Sequence, residues 1–244
     1  MINELKHTEE TKRKLSEIEK NNLADSILWD KIHNYTMTAA DRVRGLINSV
    51  KYVVANHIDG DFVECGVWRG GSMMSVALTL NNIGEQTRHL HLFDTFEGMT
   101  MPTQNDVGYD GKFAESSLNN APKTKDSLLW AIASYEDVKQ NMASTGYPND
   151  NIHLIKGKVE DTIPLCAPDK IAILRLDTDW YESTKHELKY LYPRLVPNGV
   201  LIIDDYGHWL GARQAVDEYF DTQEFKPLLN RLDYTGCLII KSKI

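Results

Sequence analysis

A chain of 244 residues, 42% hydrophobic and 25% charged, has the length and balance of one α/β domain with additions. Its formal net charge of −8 excludes a sequence-independent nucleic-acid binder, which needs surplus Lys and Arg to displace counterions from phosphates. No apolar run is long enough to span a bilayer, and the charged start Met1-Ile2-Asn3-Glu4-Leu5-Lys6 holds no signal-peptide core, which predicts a cytoplasmic protein with no membrane partner and a small or uncharged substrate.

Residues 1–35 are polar, with Leu15, Ile18, Leu23, Ile27 and Leu28 loosely at helical spacing. They predict an N-terminal helical extension that could serve as a dimer arm, and hence a homo-oligomer, dimer or higher. A better specified helix follows. Thr38-Ala39-Ala40-Asp41 reads as a capping box, and Val43, Leu46, Ile47, Val50 and Val54 continue with helical periodicity. Arg42 and Arg44 on this helix read as a solvated face rather than as partners of a ligand carboxylate. The extension is placed at residues 1–57 and the main domain at 58–244.

From there short apolar runs alternate with helices. Strands are expected at Phe62–Gly66, Leu90–Asp94, Ile152–Lys156, Ile171–Asp177, Val200–Asp204, Lys226–Leu232 and Cys237–Lys241, with helices near 71–82, 126–144, 181–192 and 211–221. Runs such as Val200-Leu201-Ile202-Ile203 are apolar throughout, as in strands covered on both faces. The alternation predicts an α/β doubly wound, mostly parallel sheet of seven strands with right-handed crossovers. Cys65, Cys166 and Cys237 are odd in number and far apart; Cys65 and Cys237 fall in apolar runs and read as small buried hydrophobes.

Two features at strand ends point to a nucleoside ligand. The first strand leads through Glu64-Cys65-Gly66-Val67-Trp68-Arg69-Gly70-Gly71-Ser72 into a helix, a turn in which glycines let a ligand approach bare backbone and free N–H groups. The pattern is Glu-x-Gly-x-x-x-Gly-Gly and not the dinucleotide Gly-x-Gly-x-x-Gly. An acid at the strand end repels a pyrophosphate and suits a cationic ligand; S-adenosylmethionine carries a sulfonium and an ammonium. The second strand ends in Asp94-Thr95-Phe96-Glu97-Gly98, where an acid can accept both ribose hydroxyls. The polar stretch 98–125 then interrupts the rhythm with Pro102, Gly108, Gly111 and Pro122. A segment that long at a ligand-binding sheet edge reads as a substrate lid rather than a passive insertion.

Further on, Leu176-Asp177-Thr178-Asp179-Trp180-Tyr181 and Ile203-Asp204-Asp205-Tyr206-Gly207 put acids at the ends of the fourth and fifth strands. If those strands are neighbours, carboxylates about 5 Å apart can share a cation, and hard oxygen ligands suit Mg²⁺. Helix capping is the competing explanation, and it fits Asp179, just before the helix near Tyr181, and Asp205. A metal site accounts better for the doubled pattern. His208 has a suitable unperturbed pKa for a base, although a nearby dication lowers its proton affinity; otherwise it is a loop histidine. Trp180, Tyr181 and Trp209 either wall the acceptor pocket or pack.

Together the four motifs Glu64–Ser72, Asp94–Gly98, Leu176–Thr184 and Asp204–Gly207 resemble the macrocin (TylF-type) O-methyltransferases, in order from about residue 60 to 220. The resemblance implies a Rossmann-like class I methyltransferase fold and Mg²⁺-dependent methyl transfer from S-adenosylmethionine to a hydroxyl, the acceptor being a sugar of a glycosylated product. By motif position it makes Asp177, Asp204 and Asp205 the metal ligands and Asp177 the general base. Related catechol-type enzymes carry a lysine where this chain has Trp180, so a lysine base is not available. The chain also departs from the family's frequent glycine at Thr178. The expected cofactor-binding set is Glu64, Gly66, Val67, Trp68, Gly70, Gly71, Ser72, Asp94, Thr95, Phe96, Gly157, Glu160 and Asp177. Two rival readings are an NAD-dependent oxidoreductase, disfavoured by Glu64 and the aspartates, and a non-catalytic nucleotide-binding protein whose acids only cap helices.

Overall fold

A computed structural model describes residues 25–243 of the chain. The expected N-terminal arm therefore lies largely outside the described residues. Residues 25–32 are helical, and a short 3-10 turn, His33–Tyr35, leads toward helix α1, Ala40–Ala55. The capping box does not form. Ala39 occupies the N-cap with no side-chain hydrogen bond, and the Thr38 hydroxyl is turned inward to accept from Arg175 at 2.7 Å.

The strands are β1 Asp61–Cys65, β2 Leu90–Asp94, β3 Ile152–Lys156, β4 Ile171–Leu176, β5 Leu195–Ile203, β6 Asn230–Arg231 and β7 Cys237–Ile240. They form one sheet in the order β3-β2-β1-β4-β5-β7-β6, parallel except for β7, which runs antiparallel to both β5 and β6. The order reverses between β1 and β4, so their C-terminal ends open a crevice, the usual ligand position in open α/β sheets. The expected sixth strand shrinks to two residues. Only Asn230 and Arg231 reach β7, because the chain before them, with Phe225 and Leu228 exposed, leaves the sheet.

The remaining helices are α2 Gly71–Ile83, α3 Ala114–Asn120, α4 Tyr135–Ala143, α5 Val159–Thr162, α6 Tyr181–Leu191 and α7 Leu210–Asp221. Helix α1 sends Val43, Leu46, Ile47, Val50 and Val53 into a core shared with α2 and one sheet face, including Phe62, Ile173, Val200 and Ile202. The opposite face buries Val63, Cys65, Leu174, Leu176, Leu201 and Ile203 against α6 and α7. Alternate residues of each central strand thus enter different cores, which explains their unbroken hydrophobicity. Cys65 and Cys237 are buried as expected, and Cys166 is exposed.

Helix α4 is shorter than the expected 126–144. Residues 126–134 are turns and irregular chain instead, and the Ser134 hydroxyl caps α4 by accepting from the Asp137 N–H. The irregular stretch thus extends beyond 125 and includes α3. It is fastened at its middle: Asp106 accepts from the Thr103 and Tyr181 N–H groups, Tyr109 N–H donates to the His208 carbonyl, and Leu210 N–H donates to the Val107 carbonyl. Trp130 of this stretch packs in a third cluster with Trp180, Trp209, Ala114, Leu118 and Ala212.

Candidate active site

The parallel ladder carries the acids to a common edge. Cys65 pairs with Leu176 and Leu176 with Ile203, so the next residues, Gly66, Asp177 and Asp204, are neighbours. Hydrogen bonds continue past the strand ends, from Asp177 N–H to the Cys65 carbonyl (2.8 Å) and from Asp204 N–H to the Leu176 carbonyl (2.9 Å). The backbones nearly touch there: a Cβ on Gly66 would lie 2.0 Å from the Asp177 carbonyl oxygen, and its φ of +78° also favours glycine. Above this edge lies a cavity of about 370 Å³.

At one end the cavity is lined by Gly66, Trp68, Asp94, Thr95, Gly157 and Glu160, all expected cofactor residues. Gly157 adopts φ +146° and presents bare backbone. The Asp94 carboxylate accepts from the N–H groups of Val67 (2.8 Å), Trp68 (3.1 Å) and Phe96 (2.7 Å), so it shapes the turn as well as facing the cavity. Trp68 and Phe96 have positive φ, a conformation that costs energy and is held by these bonds. Glu64, Val67, Gly70, Gly71, Ser72 and Phe96 do not line the cavity. Gly70 instead begins α2 with φ +86°, and a Cβ on Gly71 would lie 2.5 Å from the Tyr35 carbonyl oxygen.

Glu64 differs most from its expected place. Its side chain projects from β1 toward its register partner Arg175 on β4, and the two bond at 2.5 Å. Arg175 is 3% exposed in a strand whose other five residues are apolar. It also donates to Asp177 at 2.7 Å, to Asp204 at 2.6 Å and to Thr38. Arg42 of α1, expected in solvent, is instead largely withdrawn from it at the cavity wall; it binds the second oxygen of Asp204 and lies 2.9 Å from Asp233. Arg44 does stay at the surface, paired with Asp41.

The acids divide accordingly. Both oxygens of Asp204 are taken by arginines. Asp179 caps nothing, since Trp180 is the N-cap of α6 without a side-chain bond and Asp106 receives the Tyr181 N–H at 2.7 Å. Held at φ +67°, Asp179 turns to Asp205 and to the Trp209 indole. Asp177, Asp179 and Asp205 then bring carboxylate oxygens within 4.8 Å of one another. Sequence adjacency to a helix made Asp179 resemble a cap; its backbone conformation, which no local pattern signals, brings it into the cluster.

Burial dominates the electrostatics. It pushes Asp177 upward, Asp205 well above the carboxylate range, and Asp179 and Asp204 to about 7. Glu64 rises to about 8 from the same cause, despite the opposing pull of Arg175. The Oδ2 atom of Asp205 is buried without a hydrogen-bond partner. Glu64, Asp177, Asp179, Asp204 and Asp205 face two guanidiniums, which leaves three formal negative charges if all five ionise. Asp204 is clamped by two arginines and Glu64 is bonded to Arg175 beneath them, while Asp177, Asp179 and Asp205 converge. An orphaned buried oxygen within a convergent set of hard donors fits a divalent ion such as Mg²⁺.

The cavity is also lined by His208, Trp209, Tyr234 and Ser183, and by the exposed Leu128 and Leu129. His208 Nδ1 lies 3.2 Å from the Tyr234 hydroxyl, and partial burial lowers its pKa, favouring the neutral ring. Trp180 packs edge-on against Trp209, so one tryptophan lines the cavity and the other supports it. Arg175, Thr38, Tyr234 and Leu128 were not among the expected site residues. Only Arg175 left a trace in sequence, a charge inside an apolar strand.

The chain matches the family described as Macrocin-O-methyltransferase (TylF) over residues 1–241. It is 33% identical over 202 residues, 83% of this chain and 74% of the relative, to 8-demethyl-8-(2,3-dimethoxy-alpha-L-rhamnosyl)-tetracenomycin-C 4'-O-methyltransferase of Streptomyces olivaceus. It is 33% identical over 185 residues, 76% of this chain and 67% of the relative, to demethyldecarbamoylnovobiocin O-methyltransferase of Streptomyces niveus. The solved O-methyltransferase NovP superposes with a TM-score of 0.73 at 31% identity, covering 86% of this chain and 83% of its own. The chain belongs to the macrocin O-methyltransferase family and is an S-adenosylmethionine-dependent O-methyltransferase. That membership removes the oxidoreductase and the non-catalytic nucleotide-binding readings.

Proposed function

From membership of that family we propose that the enzyme methylates a sugar hydroxyl of a glycosylated small molecule, using S-adenosylmethionine and Mg²⁺. The observation that carries the metal is the convergence of Asp177, Asp179 and Asp205 around the unpartnered Asp205 Oδ2. The acceptor class rests on the tetracenomycin relative, whose name carries a rhamnosyl group, and on the aspartates and His208 that line the cavity.

When bound, S-adenosylmethionine supplies an electrophilic methyl on a sulfonium, and Mg²⁺ supplies Lewis acidity that lowers the pKa of a hydroxyl. Gly66 and Gly157 give the cofactor close access to backbone, while Asp94 and Glu160 are placed for its hydroxyl and amino groups. Asp177 and Asp205 would hold the metal, with Asp179 offering the third oxygen; Asp204 would join by exchanging its Arg42 contact for the ion. Asp177 takes the acceptor proton, because its side chain is 26% exposed at the cavity while Arg175, Glu64 and Asp204 are shut in at 3% or less. His208, neutral and steadied by Tyr234, accepts a hydrogen bond from a neighbouring sugar hydroxyl. The stretch from 98 to 131 acts as a lid: its Leu128 and Leu129, with Trp209 at the start of α7, keep water from the reacting atoms, and near-attack positioning can supply roughly 7–11 kcal/mol of the barrier.

Calorimetric titration with S-adenosylmethionine and with Mg²⁺, combined with a mass-detected methylation assay on a panel of glycosides, tests this reading. Asp205→Asn is expected to abolish Mg²⁺ binding while cofactor binding persists, and Asp177→Asn to lose turnover by about 10²–10⁴-fold. Unchanged turnover in Asp177→Asn would remove the base assignment. Wild-type protein that methylates at full rate in EDTA would remove the metal.

A further inference from the structure

Glu187 lies on α6 and is entirely buried. Its Oε1 accepts from the Thr178 hydroxyl at 2.9 Å, and its carboxyl also meets the Cys65 thiol. Thr178 is the residue between Asp177 and Asp179; Cys65 ends β1 and immediately precedes the glycine of the cofactor turn. One side chain therefore touches both halves of the site from behind, at the place where Asp177 N–H bonds to the Cys65 carbonyl. Its other oxygen, Oε2, is buried without a partner.

That arrangement is costly for a purely structural residue. The neighbouring inward positions of α6 are Leu188 and Leu191, and a leucine at 187 would fill similar volume with no unsatisfied acceptor. We propose that Glu187 is a positioning residue: it holds the Asp177–Thr178–Asp179 loop against the cofactor turn, so that the metal-binding carboxylates converge beside the methyl donor. Asp179 needs such support, because φ +67° is disfavoured for a residue with a side chain, and Thr178 is the adjoining link through which it can be held. Burial pushes the Glu187 carboxyl well above the usual carboxylate range. Glutamine has the same shape and can accept the same bond from Thr178.

The inference rests on the metal-assisted methyl-transfer reading above, and its test separates the two. Mg²⁺ affinity by calorimetry, Mn²⁺ affinity by electron paramagnetic resonance, S-adenosylmethionine affinity, turnover and melting temperature are measured for wild type, Glu187→Leu, Glu187→Gln and Thr178→Val. Glu187→Leu is expected to melt no lower than wild type and to keep its cofactor affinity, yet to lose about tenfold or more in metal affinity, as supporting groups around metal ligands do. Thr178→Val should reproduce that loss, and Glu187→Gln should stay close to wild type. Wild-type metal affinity in Glu187→Leu or in Thr178→Val overturns the proposal, as does a lower melting temperature with metal affinity unchanged. If Glu187→Leu does not fold, Thr178→Val decides by the same criterion. If the wild type itself binds no metal, the metal reading fails, and Glu187 is judged on turnover: a fall at constant cofactor affinity supports it, and no change overturns it.

Discussion

Arg175 is the residue on which the charges of the site depend. Four acceptors surround it, and three of them, Glu64, Asp177 and Asp204, are carboxylates that burial pushes toward their neutral forms. Removing the guanidinium leaves buried acids without their counter-charge, which typically costs about 3–5 kcal/mol. Arg175→Met is therefore expected to lower unfolding stability in urea by roughly that amount, and Arg175→Met with Glu64→Gln to recover part of it, since these two are register partners across β1 and β4. Additive losses in that cycle would sink the pairing as an energetic unit. Sequence reading found the acids and missed the base that organises them. Arg175 counted as one irregularity in an apolar strand, and nothing local links it to Glu64, 111 positions away. Thr38 failed for a related reason: its spacing to Asp41 is that of a cap, but its hydroxyl has a better partner in the buried guanidinium.

At the level of elements, the central strands and α1, α2, α6 and α7 were legible because each has a strong period or an unbroken apolar run. The stretch from Gly98 to Lys125 was legible only as an interruption, and residues 126–134 were misread as the start of a helix. What fixes it is long-range: the Asp106 carboxylate, fully buried, accepts from the backbone of Thr103 on one side and caps α6 at Tyr181 on the other. Gly211 leaves room for that carboxylate, since a Cβ there would meet Asp106 Oδ1 at 2.4 Å. Asp106→Ala orphans both N–H groups and is expected to cost about 1–2 kcal/mol of stability. The loss should concentrate in the interrupting stretch, read as faster hydrogen exchange and faster proteolysis between 98 and 131, with slower methyl transfer and little change at α2. Protection there equal to wild type would mean that the aromatic cluster around Trp130 and Trp180 holds the segment unaided.

Across the whole molecule, the switch between β1 and β4 sets Glu64, Asp177 and Asp204 side by side, and the two cores hold them there from opposite faces. Stability should therefore depend on pH and on metal together. Without metal, Glu64 titrates near 8 and Asp179 and Asp204 near 7 in the folded protein, against about 4 in the unfolded chain. The folded state then holds more protons than the unfolded one through that interval, so stability falls as pH rises from about 4 to 8. On the proposed reading Mg²⁺ would act in the opposite sense, because it would bind the ionised carboxylates and displace their protons. Its stabilising effect should be small at pH 5.5 and grow toward pH 8, adding about 2.7 kcal/mol where the ion is present at a hundred times its dissociation constant. Glu64 lies beneath the cavity, bonded to Arg175, so part of the downward slope should survive saturating metal. Melting curves at several pH values, in EDTA and in Mg²⁺, read both effects. A metal-induced rise that does not grow with pH would show that the ion binds elsewhere than on these carboxylates.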